Sequence, residues 1–248
     1  MEDHEPQGRK SEDRKSTSHV ICRKGRELPV RQVMELSEKS RDGARAHAGQ
    51  VVVFGDIADG CLVRIHSRCL YGDVLRSDDC DCGPEIDLAM DRIQSEGSGV
   101  LIYLDQEGRG SGLVVKAEGL GLADRTGVDS FASYRALGHP VDSRSYGQAA
   151  ETLAGLGLTS VRLMTNNPDK LSAVRRAGIT VQRVPLLTVP RSERARRYME
   201  SKRRVAGHHL PVPDSLGGSW ICRFQQLVPA PLRPFWEWFG RVPFERTV

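Results

Sequence analysis

Three cysteines carry the densest chemical signal in the chain: Cys69, ten intervening residues, then Cys80-Asp81-Cys82. Thiolates are soft ligands, and three of them together favour zinc over harder divalent ions. Three protein ligands leave the fourth tetrahedral position to water, the arrangement of a catalytic zinc, and water held there ionises near pH ~7 instead of about 16. Water so activated is a nucleophile toward an electron-poor ring carbon. Spacing alone leaves two other readings open: a closed structural site completed by His66 or Cys61, or cysteines that merely fill the core.

Further polar groups cluster downstream. In Glu107-Gly108-Arg109 and the glycines that follow, Gly108, Gly110 and Gly112 let the backbone approach a ligand, Arg109 can fork onto a phosphate or a base edge, and Glu107 can accept two N–H donors. Taken alone, this stretch is equally a tight surface turn with a solvated arginine. Asp142 and Arg144 stand two residues apart where a loop enters a helix, so the bland alternative is a helix cap, through Asp142 or Ser143, beside an exposed arginine. Thr165 at a strand end and Lys170 in the next helix's first turn suit a polyphosphate, although solvated lysines are common.

The elements that must position these groups read as α/β. VVVFGDI (51–57) and CLVRIHS (61–67) suggest a strand pair with its turn at Ala58, Asp59 and Gly60. Glu85 to Gln94 is helical, with Ile86, Ala89, Met90 and Ile93 on one face and Gly97 as a stop. GVLIYLDQEGRGSGL and SVRLMTNNPDKLSAVRRAG each read as a buried strand, a loop and a helix, which places 106–109 and 165–170 where strand carboxyl ends meet helix amino ends, the usual ligand crevice of such sheets. The reading is a mixed sheet flanked by helices over 26–210, a polar mobile tail over 1–25, and an appended segment rich in Pro and Trp over 211–248.

Bulk properties set the class. With 39% hydrophobic residues in 248, the chain can bury a sizeable core. A formal charge of +4 suits a polyphosphate ligand but falls short of a nucleic-acid surface. No apolar run is long enough for a membrane span, and the opening residues lack the apolar core of a secretory signal, so a cytoplasmic location is expected. In that reducing setting Cys22, Cys61, Cys69, Cys80, Cys82 and Cys222 are free thiols, not a disulfide framework.

The segments RIHSRCLYGD, CDCG, QEGRGSGL and LMTNNPDK, in this order and spacing, make the chain resemble the GTP cyclohydrolase II family from about Arg26 to Leu210. The resemblance implies one zinc per subunit on Cys69, Cys80 and Cys82, with hydrolytic opening of the purine at C8 and release of formate and pyrophosphate on the way to riboflavin. It implies nucleotide contacts from Arg64, Ile65, His66, Ser67 and Arg68, from Glu85, from Glu107, Gly108 and Arg109, and from Ser130, Thr165 and Lys170. Asp142 matches the family's proton acceptor and Arg144 the arginine assigned to attack the α-phosphate, although guanidinium hardly ever loses its proton and is better suited to stabilising phosphoryl charge. Magnesium travelling with the triphosphate and a homodimeric state are implied as well.

The departures gather around the same residues. Glu85 stands where the family carries glutamine, exchanging a group that can donate for an acceptor-only carboxylate. Asp79 and Asp105 replace arginines, and Ser130 replaces threonine. The family's catalytic tyrosine falls near Leu120 or Gly121, so no phenol stands there, and Tyr134 or Tyr71 could replace it only through the fold. Three functions follow: the family reaction on GTP; a paralogue that opens another nucleotide such as UTP or retains the formyl group; and a nucleotide-binding regulator without turnover.

Overall fold

The computed structural model describes residues 17–39 and 45–212. The chain divides into two compact units after His209, and the second, Leu210–Val248, lies outside the described residues apart from its first three, as does nearly all of the expected appended segment. The first unit is built on a sheet of seven strands, ordered β1-β2-β3-β5-β4-β6-β7: β1 (His19–Arg23), β2 (Arg26–Lys39), β3 (Arg45–Phe54), β4 (Cys61–Ser67), β5 (Gly99–Leu104), β6 (Ser160–Met164) and β7 (Thr180–Val184). Among the described residues six α-helices accompany it: α1 (Cys82–Glu96), α2 (Gly112–Thr126), α3 (Ser130–Ala136), α4 (Gly147–Gly155), α5 (Pro168–Arg176) and α6 (Glu193–Ala206).

Two expectations need correction. The first strand pair does not form: β5 lies between β3 and β4, antiparallel to the first and parallel to the second. Residues 61–67 are fully buried until Ser67, as befits a central strand with both faces covered, and they take parallel neighbours on both sides. The turn at 58–60 is therefore a crossing and not a hairpin. The tail also ends sooner than Gly25, because His19–Arg23 pairs antiparallel with β2 from His19↔Val30 to Arg23↔Arg26. Its side chains are largely exposed, Val20 and Ile21 included, so the strand is held by backbone pairing; its apolar run is only three residues long and does not alternate.

Each face of the sheet has its own core. Val51, Val63, Ile65, Val100, Ile102 and Leu163 pack with α4 and α5, and Leu28, Val30, Phe54 and Leu62 pack with Ala89, Met90 and Ile93 of α1. The split of Leu62 from Val63 and Ile65 is the period of two that a strand imposes. Gly97 closes α1 in the left-handed region at φ 80°. Among the described residues no helix is long and apolar enough to cross a membrane.

Candidate functional site

The carboxyl ends of β4, β5 and β6 open on one side, and the polar groups gather there. After β4 the chain turns through Cys69 and one π-helical turn, Leu70–Val74, whose Gly72 N–H donates to Cys69 Sγ (3.3 Å). That turn packs directly on the start of α1. A Cβ on Gly72 would lie 2.9 Å from Cys80 Sγ and one on Gly83 would lie 2.3 Å from the Gly72 carbonyl oxygen, so both glycines are needed for the contact. The contact brings Cys69, Cys80 and Cys82 together, with sulfurs all within 4.8 Å of one another.

The donor set fits a soft dication. Hydrogen bonds from Cys80 and Cys82 pull Cys69 down to about 3 against the cost of its burial, and the Lys116 ammonium, 3.2 Å from its sulfur, assists. The interaction with Cys69 in turn pushes Cys80 and Cys82 up. Without a cation the cluster holds one thiolate easily and resists a second, and a bound dication would relieve that resistance.

Neither candidate fourth ligand joins the cluster. Cys61 begins β4, at the far end from Cys69, and burial pushes its thiol up to about 11. His66 spends both ring nitrogens elsewhere: Nδ1 accepts from Arg64 Nη2 (3.0 Å) and Nε2 donates to Asp73 (3.1 Å), which requires the Nε2–H tautomer. Asp73 also receives the Cys69 N–H (3.0 Å) and the Tyr103 hydroxyl (2.9 Å), so His66 stiffens the cysteine turn from behind.

Cys82 opens into a pocket walled by Arg64, His66, Ser67, Glu85, Arg144, Thr165 and Lys170, all seven of which sequence reasoning had singled out. Arg64 reaches from β4 to the Met164 carbonyl at the end of β6 (3.0 Å) and pairs with Glu85 (2.7 Å). Burial alone would raise the Glu85 carboxyl, but the charges of Arg64 and Lys202 prevail and hold it at about 2. Lys170 donates to the Ile65 carbonyl (2.9 Å). Its burial and the neighbouring guanidinium groups of Arg64 and Arg144 drive its pKa well below the ordinary lysine value, and an anion entering the pocket would raise it again. Thr165 Oγ1 accepts from Asn167 N (3.0 Å) and shapes the loop before α5, which Asn167 caps through Asp169 N.

The other predicted residues sit around this pocket. Ile65 points its side chain into the core and offers only its carbonyl. Arg68 lies exposed in an ion pair with Asp105 (2.9 Å), and Asp79 is paired with Arg194 (3.3 Å), so both reversed charges meet a cation supplied elsewhere in the chain. Glu107 is committed within the protein: Oε2 accepts from Leu70 N (2.6 Å) and Oε1 from Lys116 (2.7 Å). It clamps the cysteine turn, which takes up part of its acceptor capacity. Gly108 and Arg109 both adopt left-handed backbone, φ 58° and 56°. Arg109 donates to the Ser130 hydroxyl (2.8 Å) and carbonyl (3.1 Å) and stacks on Phe131, its Cζ 3.5 Å from the ring centre.

Asp142 grips Arg144 through the guanidinium and the backbone N–H, and caps nothing; α4 begins instead behind Tyr146 with no side-chain cap. Burial would raise the Asp142 carboxyl, and Arg144 holds it low.

Sequence reasoning passed over Lys116 and Lys202. Lys116 bridges Cys69 and Glu107, and Leu120 follows it one turn later on α2, the same helical face. Tyr134 is 4% exposed beside Arg109, and Tyr71 lies under Lys116. Lys202 and His208 line the pocket from beyond α5. Only Lys116 had a sequence signal, a lone cation on an otherwise aliphatic turn after the glycine-rich loop.

A family model for GTP cyclohydrolase II matches residues 38–185. A GTP cyclohydrolase-2 of Neisseria meningitidis serogroup A is 44% identical over 169 residues, covering 67% of this chain and 84% of that protein. The probable bifunctional riboflavin biosynthesis protein RIBA 1, chloroplastic, of rice is 48% identical over 161 residues, 63% of this chain and 30% of that one. The riboflavin biosynthesis protein RibBA of Bacillus mycoides is 44% identical over 162 residues, 64% of this chain and 40% of that one, so the chain spans less than half of either larger relative.

Proposed function

The chain belongs to the GTP cyclohydrolase II family, and from that premise we propose that it is a zinc-dependent hydrolase that opens the base ring of a nucleoside triphosphate, GTP before others, and releases formate and pyrophosphate in riboflavin-type chemistry. One observation carries the reading: a three-cysteine cluster whose Cys82 borders a pocket lined by Arg64, Arg144 and Lys170. Cys69, Cys80 and Cys82 would hold the zinc. When bound there, zinc supplies a Lewis acid and lowers the pKa of a water to about 7.

The remaining work falls to the protein's own groups. Lys170 and Arg144 bind the phosphates, whose charge magnesium also neutralises. Arg144 stays protonated and stabilises phosphoryl charge, while Asp142, ionised and fixed against it, sets its orientation and is the proton acceptor of the pair. Glu85 is bonded to Arg64 and Asn166 and would meet N–H donors of the base only through its remaining lone pairs. Arg109 and Ser130 brace the glycine-rich turn, and Glu107 with Lys116 braces Cys69. A binding protein without turnover would have no use for three converging thiols beside an oriented Asp–Arg pair.

A second reading concerns the product. Leu120 or Gly121 stands on α2 near Lys116 where the resemblance implies a phenol, and the absence of that phenol favours an enzyme that retains the formyl group. Both readings are tested by incubating the zinc-loaded protein with magnesium and either GTP or UTP, with formate and pyrophosphate assays and mass spectrometry of the products. Formate from GTP supports the first. A ring-opened, formylated GTP product supports the second, and opening of UTP alone overturns the substrate assignment in both.

A further inference from the structure

The family match ends at residue 185, yet the chain beyond it completes the pocket. α6 is capped at its start by Ser192, whose hydroxyl accepts from Ala195 N (3.0 Å). Tyr198 and Lys202, four residues apart, share one face, and Lys202 Nζ lies 4.8 Å from the Tyr198 ring centre. Lys202 also pairs with Asp81 (2.6 Å), the residue between Cys80 and Cys82, and the Asp81 side chain is only 1% exposed. The helix ends at Gly207, in the left-handed region at φ 62°. Two backbone bonds then fix the following residues: His208 N donates to the Lys202 carbonyl (3.1 Å) and His209 N to the Asn166 carbonyl (2.8 Å).

These ties leave the His208 side chain on the pocket wall, and among the described residues its imidazole has no hydrogen-bond partner. Burial, reinforced by the charge of Lys202, holds its pKa down at about 2, so the ring is neutral across the physiological range. A neutral imidazole offers one donor and one acceptor. Its neighbours are of another kind: Arg64, Arg144, Lys170 and Lys202 are cationic groups suited to phosphate, and the Glu85 carboxylate is tied to Arg64.

We infer that His208 is a further substrate-contacting residue that hydrogen-bonds the uncharged base or sugar of the nucleotide, and that Lys202 is the positioning residue that locks its segment onto Asp81. The inference rests on the reading that this pocket takes the nucleotide.

The test uses the full chain and its variants His208→Ala, His208→Gln, Lys202→Met and Lys202→Arg. Affinities for GTP and for inorganic tripolyphosphate are measured directly, together with KM, kcat and zinc content. His208→Ala should weaken GTP about tenfold in both the dissociation constant and KM, with kcat within about threefold, zinc retained and tripolyphosphate affinity unchanged. His208→Gln, which keeps a donor and an acceptor, should recover most of the loss. Lys202→Met should raise KM in the same sense and Lys202→Arg should restore it. GTP affinity within twofold of wild type in His208→Ala overturns the inference, as does an equal loss for tripolyphosphate, and a Lys202→Met protein with lowered melting temperature but unchanged KM reduces Lys202 to a structural role. In those cases the wild-type chain still opens GTP and the broader reading stands, whereas a wild-type chain that binds no nucleotide removes both.

Discussion

The cysteine cluster and the pocket beside it are assembled in different ways. Cys69, Cys80 and Cys82 come from one short stretch, folded on itself by Gly72 and Gly83. Their polar demands are mutually opposed, because settling a charge on one sulfur makes the next harder to ionise. The pocket is drawn from remote parts of the chain: Arg64 meets the carbonyl of Met164, Lys170 that of Ile65, and Lys202 the carboxylate of Asp81. There Arg64, Arg144 and Lys202 are paired with Glu85, Asp142 and Asp81, leaving Lys170 as the cation without a carboxylate partner. One region is thus short of a cation and the other short of an anion, which is what the proposed zinc-dependent reaction on a triphosphate requires.

The sharpest way to break this division is Cys82→Ser, since Cys82 belongs to both regions. We expect zinc content to fall from one per chain to near zero and turnover to drop by more than about 10³-fold, because the water loses its activation. GTP affinity should change by only a few-fold, as the cations are untouched. If binding disappears along with zinc, the two regions are not separable and the metal organises the pocket.

Glu85→Gln tests whether the pocket satisfies itself. It removes the carboxylate that accepts from Arg64 and leaves a buried guanidinium less well compensated, so stability at neutral pH should fall by about 3 kcal/mol. The pH dependence has a definite sign. A carboxyl held at about 2 in the folded chain, against an ordinary 4.5, contributes its full stability above the ordinary value and loses it as pH falls toward 2. Denaturant titrations should therefore show wild type and variant far apart above pH 4.5 and converging toward pH 2. A constant gap across that range would mean that the charge of Glu85 is not what the pair contributes.

Lys170→Met probes the surplus cation itself. The affinity for GTP should fall roughly 10- to 100-fold, the range for a lost charge-assisted hydrogen bond, with zinc content unchanged. An unaltered affinity would show that the phosphates are held elsewhere.

What could be read in the sequence follows the same division. Cys69 and Cys80-Asp81-Cys82 were legible because a local cluster writes its geometry as spacing, and the strand–loop–helix units at 99–126 and 160–176 were legible through period and glycine. The sheet order was not: nothing in the sequence near Phe54 or Cys61 records that β5 inserts between them, because strand neighbours are chosen by long-range packing. His19–Arg23 was misread since its exposed side chains carry no apolar alternation. In the site, Glu107 was assigned to a ligand because its type and motif suggest one, and only the fold reveals that Leu70 N and Lys116 occupy it. Lys202 lies on a helix so rich in arginine that it reads as a solvated surface, and its partner Asp81 is 121 positions away; His208 follows just past the end of that helix, with no motif around it.

The smallest effect bears on that remote part of the pocket. The Ser192 hydroxyl accepts from Ala195 N and donates to the Asp78 carbonyl (2.8 Å), so it both caps α6 and fastens it to the loop ahead of Cys80. Ser192→Ala removes the cap and should cost about 1 kcal/mol in global stability, readable by urea unfolding. The first turn of α6 would fray before its last, because Lys202 remains paired with Asp81 and His209 with Asn166 at the other end. GTP affinity should then stay close to wild type while hydrogen exchange quickens at the first helical amides. Affinity that falls together with stability would mean that α6 reaches the pocket as a rigid unit and that the Lys202–Asp81 pair cannot hold the pocket wall alone.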